Sequence, residues 1–394
     1  MIKGIKVQLK PNNRQQTKLF QSAGVARFAY NWTLNRQIEN YKNGGKFISN
    51  EELRKEFTKL KQTEEYSWLN NYSNNITKQA IKDACDAYVS FFKGESKYPK
   101  FKSRKRSKPS FYVDTDKMQF NGTHVKLEKL TTSRKKNKQK INWVRLCERE
   151  RIPYGEDIKY INPRVSFDGV NWWISVCIEY PNSTEIPINE GIGIDLGILK
   201  LAVVSDGNIY KNINKTKEVK RLEKKKKRLQ RKVSKKYEIN KTKTEGGENR
   251  YKKTNNIIKL ENQLKKLNQR LTNIHHNYLH QTTTEIIKRK PSFIVVEDLN
   301  VTGMMKNKHL SKAIQEQRFY EFYRQIQYKS EWNNIKFIVA DRFLPSSKTC
   351  SHCGSYNKDL KLSDRKYICE CCGSVLDRDY NASLNLKNYG QGIV

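Results

Sequence analysis

The sequence predicts an α+β multidomain protein: a small β-barrel with an inserted helical bundle, followed by an α/β domain that carries a cysteine-rich insert. Three observations predict this arrangement. Apolar residues recur at helical spacing over positions 13–93. Short β-like runs dominate positions 110–182. From position 190 onward, short apolar strands alternate with long helical stretches, and two cysteine pairs lie near the end.

The charge balance points to a polyanionic partner. The chain has 394 residues, with 78 Lys plus Arg against 40 Asp plus Glu, for a formal net charge of +38. This length allows two or three domains with a sizeable core. Such an excess suits nucleic-acid binding, because each phosphate that is neutralised releases counterions, and it argues against an enzyme of small metabolites. Composition alone leaves open whether the protein only binds or also catalyses.

The predicted location is the cytoplasm. No stretch has the roughly 18 apolar residues that a membrane span needs, and residues 1–5 lack the apolar region of a signal peptide. In a reducing compartment, the eight cysteines favour metal binding over disulfides.

The N-terminal half predicts a strand, a helical bundle and then the barrel. Residues 1–10 alternate apolar and polar side chains and stop at Pro11. The predicted helices span about 13–43, 50–61 and 73–93. The N-terminal strand would complete the barrel formed by the later strands, so the bundle would be an insertion into it.

The C-terminal half predicts three short strands over 190–210 and then an antiparallel pair of long helices. The helices span about 214–240 and 252–289, with a polar break at Gly246 and Gly247. The remaining predicted elements are strands at 293–297 and 335–340 and one helix over about 311–332.

The two cysteine pairs predict a zinc site. Cys350 and Cys353 form one C-x-x-C pair, Cys369 and Cys372 form a second, and fifteen residues separate the pairs. Four thiolates can surround Zn²⁺ tetrahedrally and leave no open position, so the predicted role is structural. Cys371 makes the second pair ambiguous, and whether it joins the site stays open.

Three carboxylates stand in positions that suit metal-dependent hydrolysis. Asp195 and Glu297 interrupt apolar strands, where a carboxylate is costly unless it is paired or binds a cation. Asp379 opens the last helix, directly after the cysteine pairs. Their order, Asp on the first strand of a meander, Glu on a later strand and Asp on a final helix, is that of ribonuclease H-like folds. The predicted cofactor is a pair of Mg²⁺ or Mn²⁺ ions, which prefer hard oxygen ligands and hydrolyse phosphodiesters.

Histidines offer no rival site. His276 and His280 stand one helical turn apart without the glutamate of an H-E-x-x-H motif, and His275 precedes them. We expect contact with phosphate or bases, or simple surface exposure.

Basic residues and one glutamine, on the predicted bundle, on the aromatic-rich segment 98–106 and on the first long helix, are candidate nucleic-acid contacts. Each stretch could instead be a solvated surface. The candidates are Lys78, Gln79, Lys82, Lys100, Lys102, Arg104, Lys225, Arg228 and Arg231.

These motifs together resemble the TnpB family, transposon-encoded RNA-guided nucleases related to the compact type V CRISPR effectors. The matching motifs are GIDLG at 193–197, VEDLN at 296–300, PSSKTCSHCG at 345–354 and DRDYNAS at 377–383. They cover about residues 190–390, and the N-terminal half matches more loosely, at Tyr30-Asn31-Trp32 and at segment 98–102. Ser383 stands where alanine is commoner, and 240–258 has the character of an insertion.

The resemblance implies RNA-guided cleavage of double-stranded target DNA, with a guide RNA from the transposon end and a short duplex motif read by the protein. It implies that Asp195, Glu297 and Asp379, in preference to Asp377, are catalytic, and that the four paired cysteines bind zinc. It also implies a prokaryotic cytoplasmic protein, associated with the nucleoid when bound to DNA. The implied domains are a wedge-type barrel (1–10 and 95–185), a recognition bundle (11–94), a RuvC-like nuclease (186–340 and 376–394) and a zinc-ribbon, target-binding insert (341–375).

Two alternatives remain. A nuclease-inactive RNA-guided repressor should have lost at least one carboxylate, and none is missing. A ribonuclease H-fold transposase also needs carboxylates, but it does not predict a cysteine insert between the second and the third.

Overall fold

Seven antiparallel strands form the sheet of the N-terminal unit, residues 1–181. The structure is a computed structural model, and it describes residues 1–131, 133, 135, 139–155, 157–181, 186–243, 249–361 and 363–393. The strands are β1 (Ile2–Lys10), β2 (Ser110–Tyr112), β3 (Gln119–Phe120), β4 (His124–Lys126), β5 (Trp143–Leu146), β6 (Tyr160–Phe167) and β7 (Trp172–Glu179). Their order in the sheet is β2-β6-β7-β1-β5-β4-β3.

The predicted closed barrel is wrong for the described residues, because the edge strands β2 and β3 do not pair with one another there. Alternation along a strand predicts its two faces, but it carries no information on whether the edges of a sheet meet. Here the edges are three and two residues long, which leaves few backbone groups to close a barrel.

Helices follow the first strand of this unit. They are α1 (Asn13–Lys42), α2 (Asn50–Leu60) and α3 (Asn74–Phe92), with 3-10 helices at Glu64–Asn71 and Lys140–Asn142. α1 begins at a capping box, in which the side chains of Asn12 and Gln15 each accept a hydrogen bond from the other residue's backbone N–H, both at 2.9 Å. Leu19 of α1 and Ile81 of α3 belong to the same core as Val7 and Ile174 of the sheet.

The C-terminal unit, residues 182–394, is built on a five-stranded mixed sheet in the order β10-β9-β8-β13-β14. These strands are β8 (Ile192–Leu196), β9 (Lys200–Val204), β10 (Ile209–Lys211), β13 (Phe293–Glu297) and β14 (Lys336–Ala340). β8, β9 and β10 form an antiparallel meander, while β13 runs parallel to both β8 and β14. Two short hairpins add β11 (Lys241–Lys243) with β12 (Asn249–Tyr251), and β15 (Lys366–Ile368) with β16 (Val375–Asp377).

The helices of this unit cover both faces of the sheet. They are α4 (Lys217–Ile239), α5 (Asn255–Lys288), α6 (Val301–Met304), α7 (Ser311–Gln317), α8 (Phe319–Trp332) and α9 (Arg378–Gln391), with a 3-10 helix at Ile213–Lys215. On one face, Ile194 and Val296 pack with Leu279 of α5 and Phe322 of α8. On the other face, Val295 packs with α9.

One predicted helix is in fact two. The single helix expected over 311–332 breaks at Arg318, which adopts a left-handed conformation with φ of 56°. The preceding Gln317 is buried and donates hydrogen bonds to the carbonyls of Gly197 and Ile198, at 2.9 and 3.0 Å. This tertiary anchor accompanies the break, and no glycine or proline marked it in the sequence.

Two sequence predictions fall outside the described residues: the Gly246-Gly247 break and the boundary near position 185. Among the described helices, none has the length and apolar character required to cross a bilayer.

Candidate carboxylate and cysteine centres

Asp195 and Glu297 lie at the carboxyl ends of neighbouring parallel strands. The register pairs Ile194 of β8 with Val296 of β13, so the next residues along the two strands are Asp195 and Glu297. Because side chains alternate along a strand, both carboxylates project to the face opposite Ile194 and Val296, which is the face that α9 covers. The carboxyl ends of parallel strands are the usual location of ligand sites in mixed α/β sheets.

Gly193 allows α9 to reach this face. A Cβ atom on Gly193 would lie 2.1 Å from the carbonyl oxygen of Ser383 and 2.5 Å from the backbone nitrogen of Lys387. Both atoms belong to the helix backbone and cannot rotate away. The glycine two residues before Asp195 therefore sets how closely the helix that carries Asp379 approaches β8.

The two aspartates at the start of α9 have different partners. Asp377 is the N-cap, and its Oδ1 accepts from the backbone N–H groups of Asp379 and Tyr380, at 3.1 and 3.2 Å. Lys200 donates to Asp377 at 3.0 Å, while its Nζ lies 3.9 Å from Oδ2 of Asp379. Although burial raises the pKa of Asp377, the Lys200 ammonium and the helix N–H groups hold it below its usual value.

The three carboxylates influence one another. Burial raises the pKa of Asp195 well above its usual value, and the negative charges of Glu297 and Asp379 raise it further. Arg378 and Lys200 oppose this effect. A face with three such carboxylates, in a chain of net charge +38, fits the hard oxygen ligands that Mg²⁺ or Mn²⁺ prefer.

The carboxylates are more widely spread than a single ligand shell. In the described part of the chain, two groups of three or more side chains bring one ligand atom each within 4.8 Å of all the others, and this triad is not one of them. Two ions about 3.5–4 Å apart can be held by carboxylates that do not all surround one ion.

Sequence reasoning missed Ser346. Its buried hydroxyl donates a hydrogen bond to Oε1 of Glu297. The residue stands inside the PSSKTCSHCG motif, but nothing in a serine four residues before a cysteine indicates a carboxylate partner far away in sequence. Only the fold brings the two together.

A cleft of about 380 Å³ opens beside Glu297. Its wall includes Leu196, Leu299, Tyr320 and Tyr323. Tyr320 is 76% exposed, which leaves one aromatic ring open to a ligand in the cleft. The volume lies in the range of about 300–1,000 Å³ that is typical of ligand pockets.

The four paired cysteines converge. The Sγ atoms of Cys350 and Cys372 are 3.7 Å apart, and those of Cys353 and Cys369 are 3.5 Å apart. A tetrahedron of thiolates at about 2.3 Å from zinc has edges of about 3.8 Å, so the spacing fits the ion. Cys371 is exposed and lies outside this group.

Two equivalent knuckles hold the thiols. In each, the N–H of the glycine after the pair donates to the carbonyl of the first cysteine at 2.9 Å, Gly354 to Cys350 and Gly373 to Cys369. Both glycines have positive φ, 76° and 72°. The backbone N–H of Cys372 lowers the pKa of Cys369 to about 6, whereas at Cys353 the effect of a backbone hydrogen bond is outweighed by burial and the other three thiols, which raise the pKa to about 12. Without a metal ion, the thiolate form is therefore favoured at Cys369 and not at Cys353. His352 is exposed and is not part of the group.

A second group forms from His276, His280 and Glu321. Glu321 is already engaged, because Arg324 donates to both of its oxygens at 2.8 and 2.9 Å and Gln325 donates to one of them at 2.8 Å. Burial lowers the pKa of both histidines, with further lowering by the cationic neighbours. These surrounding positive charges oppose a further cation. His275 is buried and bonded to the carbonyl of Leu271.

The candidate contacts of the N-terminal unit divide into two groups. Lys78, Lys82, Lys100 and Arg104 are exposed. Gln79 and Lys102 have partners inside the protein instead: Gln79 donates to Asp83 at 2.9 Å, and the ammonium of Lys102 lies 3.5 Å from the centre of the Tyr30 ring. Burial lowers the pKa of Lys102, and Asp83 partly opposes this. The charge pattern could not separate the two groups.

The candidate contacts of the C-terminal unit share one helix. Lys225, Arg228 and Arg231 are exposed on α4, at intervals of three residues. Val219 and Leu222 attach the first half of α4 to Leu267 and Leu271 of α5. The basic side chains project away from this small apolar contact.

Three family models match the chain. One described as "Probable transposase" matches residues 175–308, one described as "Cas12f1-like, TNB domain" matches 319–386, and one described as "Helix-turn-helix domain" matches 1–46. The last range holds β1 and the single long helix α1 in this structure.

Relatives match along almost the whole length. A protein of Escherichia coli (strain K12) named "Putative RNA-guided DNA endonuclease InsQ" is 28% identical, over 100% of this chain and 93% of the relative. A Streptomyces pristinaespiralis protein named "Putative RNA-guided DNA endonuclease" is also 28% identical, over 98% of this chain and 89% of the relative. A solved structure titled "Cryo-EM structure of the Cas12f1-sgRNA-target DNA complex" matches with a TM-score of 0.56 at 15% identity, covering 95% of this chain and 82% of that one, and shows a shared α+β multidomain fold. These matches confirm the resemblance to the TnpB family.

Proposed function

We propose that this member of the TnpB family is an RNA-guided DNA endonuclease that hydrolyses phosphodiester bonds with divalent metal ions at Asp195, Glu297 and Asp379. The observation that carries the proposal is the convergence of these carboxylates, from two adjacent parallel strands and the first turn of α9, on one sheet face. Carboxylates that share one face of a sheet in this way are the donors that two-metal nucleases use.

The sheet supports a ribonuclease H-like, RuvC-like domain. A meander of three antiparallel strands is followed by two parallel strands, with helices on both faces. We assign residues 186–340 and 376–394 to this nuclease and 341–375 to a zinc-ribbon insert. The remaining assignments, a wedge formed by 1–10 and 95–185 and a recognition bundle formed by 11–94, follow the same resemblance.

The proposed partners are a guide RNA and double-stranded target DNA. Two relatives that match nearly the whole chain are named for RNA-guided DNA cleavage, and the net charge of +38 suits two polyanions. We assign phosphate contacts to the exposed members of the candidate set: Lys78, Lys82, Lys100, Arg104, Lys225, Arg228 and Arg231.

The residues around the carboxylates have separate tasks. When bound, the Mg²⁺ or Mn²⁺ ions supply an activated water and stabilise the leaving oxygen. Ser346 orients the carboxylate of Glu297. Asp377 caps α9 and so fixes the first helical turn, in which Asp379 stands. Tyr320, in the cleft beside Glu297, offers a stacking surface to a base of the cleaved strand.

The four cysteines hold a structural Zn²⁺ in this proposal. Their thiols fit a tetrahedral site, and a site with four thiolates leaves no open position for substrate. Its role is to fix the fold between β14 and α9.

Purification without added nucleic acid tests the proposal. The protein should carry one defined RNA, and sequencing of that RNA should permit programmed cleavage of a matching duplex. Asp195→Ala should abolish cleavage with RNA binding intact, while Asp359→Ala, an exposed aspartate between the cysteine pairs, should cut like the wild type. Persistent cutting by Asp195→Ala would overturn the catalytic assignment.

A transposase is the second candidate, because one matching family model is described as "Probable transposase". The same preparation should be given a pre-cut transposon end and a target plasmid. We expect hydrolysis products only, and joined strand-transfer products would favour the second candidate.

A further inference from the structure

Three asparagines form a stripe along α9. Asn381, Asn385 and Asn388 are spaced by four and three residues and therefore lie on one helix face. All three donate side-chain hydrogen bonds to backbone carbonyls of the segment 346–351, which leads into the first cysteine knuckle. We call them the asparagine stripe.

The bonds are strongest at the buried end of the stripe. Asn381 is fully buried, and its amide donates to the carbonyl of Thr349 at 2.7 Å and accepts from the N–H of Ser351 at 3.0 Å. These two contacts flank Cys350. Asn385 donates to the carbonyls of Ser346 and Thr349, at 2.7 and 2.6 Å.

The outer end is weaker. Asn388 is exposed, and its bond to the carbonyl of Ser351 is 3.3 Å long. A hydrogen bond that competes with water contributes less than one whose loss leaves a buried group unpaired. The stripe therefore contains a graded series of contacts from one helix to one segment.

The segment 346–351 has the candidate zinc site at one end and the carboxylate site at the other. Ser346 donates a hydrogen bond to Glu297, and Cys350 is one of the four cysteines that converge. On α9, Asp379 lies two residues before Asn381. The same helix contacts β8 at Gly193, which lies two residues before Asp195.

We propose that the asparagine stripe couples the two metal centres, so that zinc at the cysteines raises the affinity of the carboxylates for Mg²⁺ or Mn²⁺. Asn381 is its main positioning residue. A filled thiolate site fixes the knuckle, the knuckle fixes the segment 346–351, and the stripe fixes Ser346 and the start of α9 relative to each other. The inference rests on the proposed function for the identity of the two sites.

Coupling between binding sites is reciprocal. If zinc strengthens binding at the carboxylates, then an ion at the carboxylates must strengthen zinc retention by the same factor. Oxidation of the cysteine thiolates would then also lower the affinity of the carboxylates for Mg²⁺ or Mn²⁺. Neither effect follows from two centres that merely share a domain.

The test uses the full-length, zinc-loaded protein. Binding of Mn²⁺ is measured by loss of the free-ion EPR signal, and zinc release to 4-(2-pyridylazo)resorcinol is timed with and without Mg²⁺. Asn381→Ala should weaken Mn²⁺ binding by about fivefold or more, the lower end of typical coupling strengths. Asn388→Ala, on the same helix face, should change it by less than about twofold, since its bond is long and exposed.

Asn385→Ala keeps the test valid if Asn381→Ala fails to fold, because Asn385 is only half-buried yet donates two bonds. It too should weaken Mn²⁺ binding, and Mg²⁺ should slow zinc release in the wild type but not in this variant. The coupling is overturned if Asn385→Ala binds Mn²⁺ as tightly as the wild type. It is also overturned if Mg²⁺ does not change the rate of zinc release from the wild type.

Failure of the proposed function would look different. Asp195→Asn should weaken Mn²⁺ binding directly, with zinc retained. If the wild type and Asp195→Asn bind Mn²⁺ alike, the carboxylate site itself is misassigned, and the coupling falls with it. If Asp195→Asn binds Mn²⁺ more weakly than the wild type while the asparagine-stripe variants bind Mn²⁺ normally, only the coupling is wrong.

Discussion

The hydroxyl group of Ser346 donates a hydrogen bond to Oε1 of Glu297, across 49 positions of sequence. Ser346 is buried, while Glu297 keeps part of its surface open toward the cleft. The bond therefore fixes one oxygen of the carboxylate and leaves the other available to an ion. In the proposed function Glu297 is a metal ligand, and groups that orient metal ligands contribute strongly to metal affinity.

The first prediction concerns Ser346→Ala. Removal of the hydroxyl frees Glu297 to rotate, so cleavage activity should fall by about 10- to 100-fold, the usual range for partners of metal ligands. Part of the loss should be recovered at high Mg²⁺, because the defect lies in ion affinity. The measurement is the Mg²⁺ dependence of programmed DNA cleavage. Ser347→Ala, the adjacent serine, is the control, and equal losses in both variants would contradict the role given to Ser346.

The second prediction concerns the charge of Asp195. Burial and the neighbouring carboxylates raise the pKa of this group. In the unfolded chain the carboxyl ionises at about pH 4, whereas the folded protein holds the proton to higher pH. The folded state then binds more protons, so the free energy of unfolding falls as pH rises above about 4 toward the folded pKa.

Asp195→Asn removes the destabilisation that comes from ionising this buried carboxyl, but it also removes a proposed metal ligand. Without added divalent ions, the variant should unfold at a higher temperature than the wild type near neutral pH, and the difference should shrink toward about pH 4. Added Mg²⁺ should stabilise the wild type more than the variant. Thermal unfolding measured across this pH range checks both effects, and a variant that is less stable than the wild type at neutral pH would refute the electrostatic account.

The third prediction compares two glycines. Gly193→Ala places a Cβ atom within 2.5 Å of two backbone atoms of α9, so the helix must shift. We expect destabilisation of about 1–3 kcal/mol or more and weaker binding of Mn²⁺. Gly24 lies inside α1, and apart from its chain neighbours and the adjacent backbone of its own helix no atom lies within 4 Å of an added Cβ, so Gly24→Ala should stabilise the protein by about 0.5–1 kcal/mol. Urea unfolding checks the pair, and similar effects of both would show that the approach of α9 is not tight.

The sequence predicted those parts of the site that depend on local pattern. Asp195 and Glu297 stood out because a carboxylate is unusual in an apolar strand, and the structure has both on β8 and β13. The cysteine spacing predicted a group that the structure assembles from Cys350, Cys353, Cys369 and Cys372. In these cases the chemistry is encoded by neighbours in sequence.

Features that depend on distant contacts could not be predicted. The open edges of the first sheet, the break at Arg318 and the bond from Ser346 to Glu297 all require tertiary partners. The same is true of Lys102, a lysine in a basic run that packs on Tyr30 while its exposed neighbours do not. Residue type alone cannot separate a cation that faces solvent from one that covers a ring.

The fourth prediction concerns the cleft beside Glu297. Tyr320→Ala should raise the KM for the cleaved DNA by about fivefold or more with little change in kcat, since stacking of one base contributes about 1–3 kcal/mol. Tyr320→Phe keeps the ring and should behave like the wild type. Steady-state cleavage kinetics give both constants. Tyr251→Ala, at another exposed tyrosine of the same unit, is the control, and a selective fall in kcat for Tyr320→Ala would place the ring in the chemical step instead.

The fifth prediction separates Cys371 from Cys372. Sγ of Cys372 lies 3.7 Å from Sγ of Cys350, within the group of four cysteines, whereas the adjacent Cys371 lies outside this group; both residues are exposed. Cys372→Ser should therefore lose zinc, with the metal content falling from about one ion per chain toward zero, and should unfold more easily, because binding of a structural zinc ion stabilises the folded state. Cys371→Ser should keep both its zinc and its stability.

Metal analysis by mass spectrometry after gel filtration makes this comparison. The sulfur positions explain why only one of the two neighbours can serve: Sγ of Cys372 lies 3.7 Å from Sγ of Cys350, whereas Cys371 is not part of the group of four cysteines. Zinc loss in Cys371→Ser with retention in Cys372→Ser would exchange the two roles and require a knuckle with a different turn. Equal retention in both would mean that three thiolates, with water or another donor in the fourth position, suffice to hold zinc.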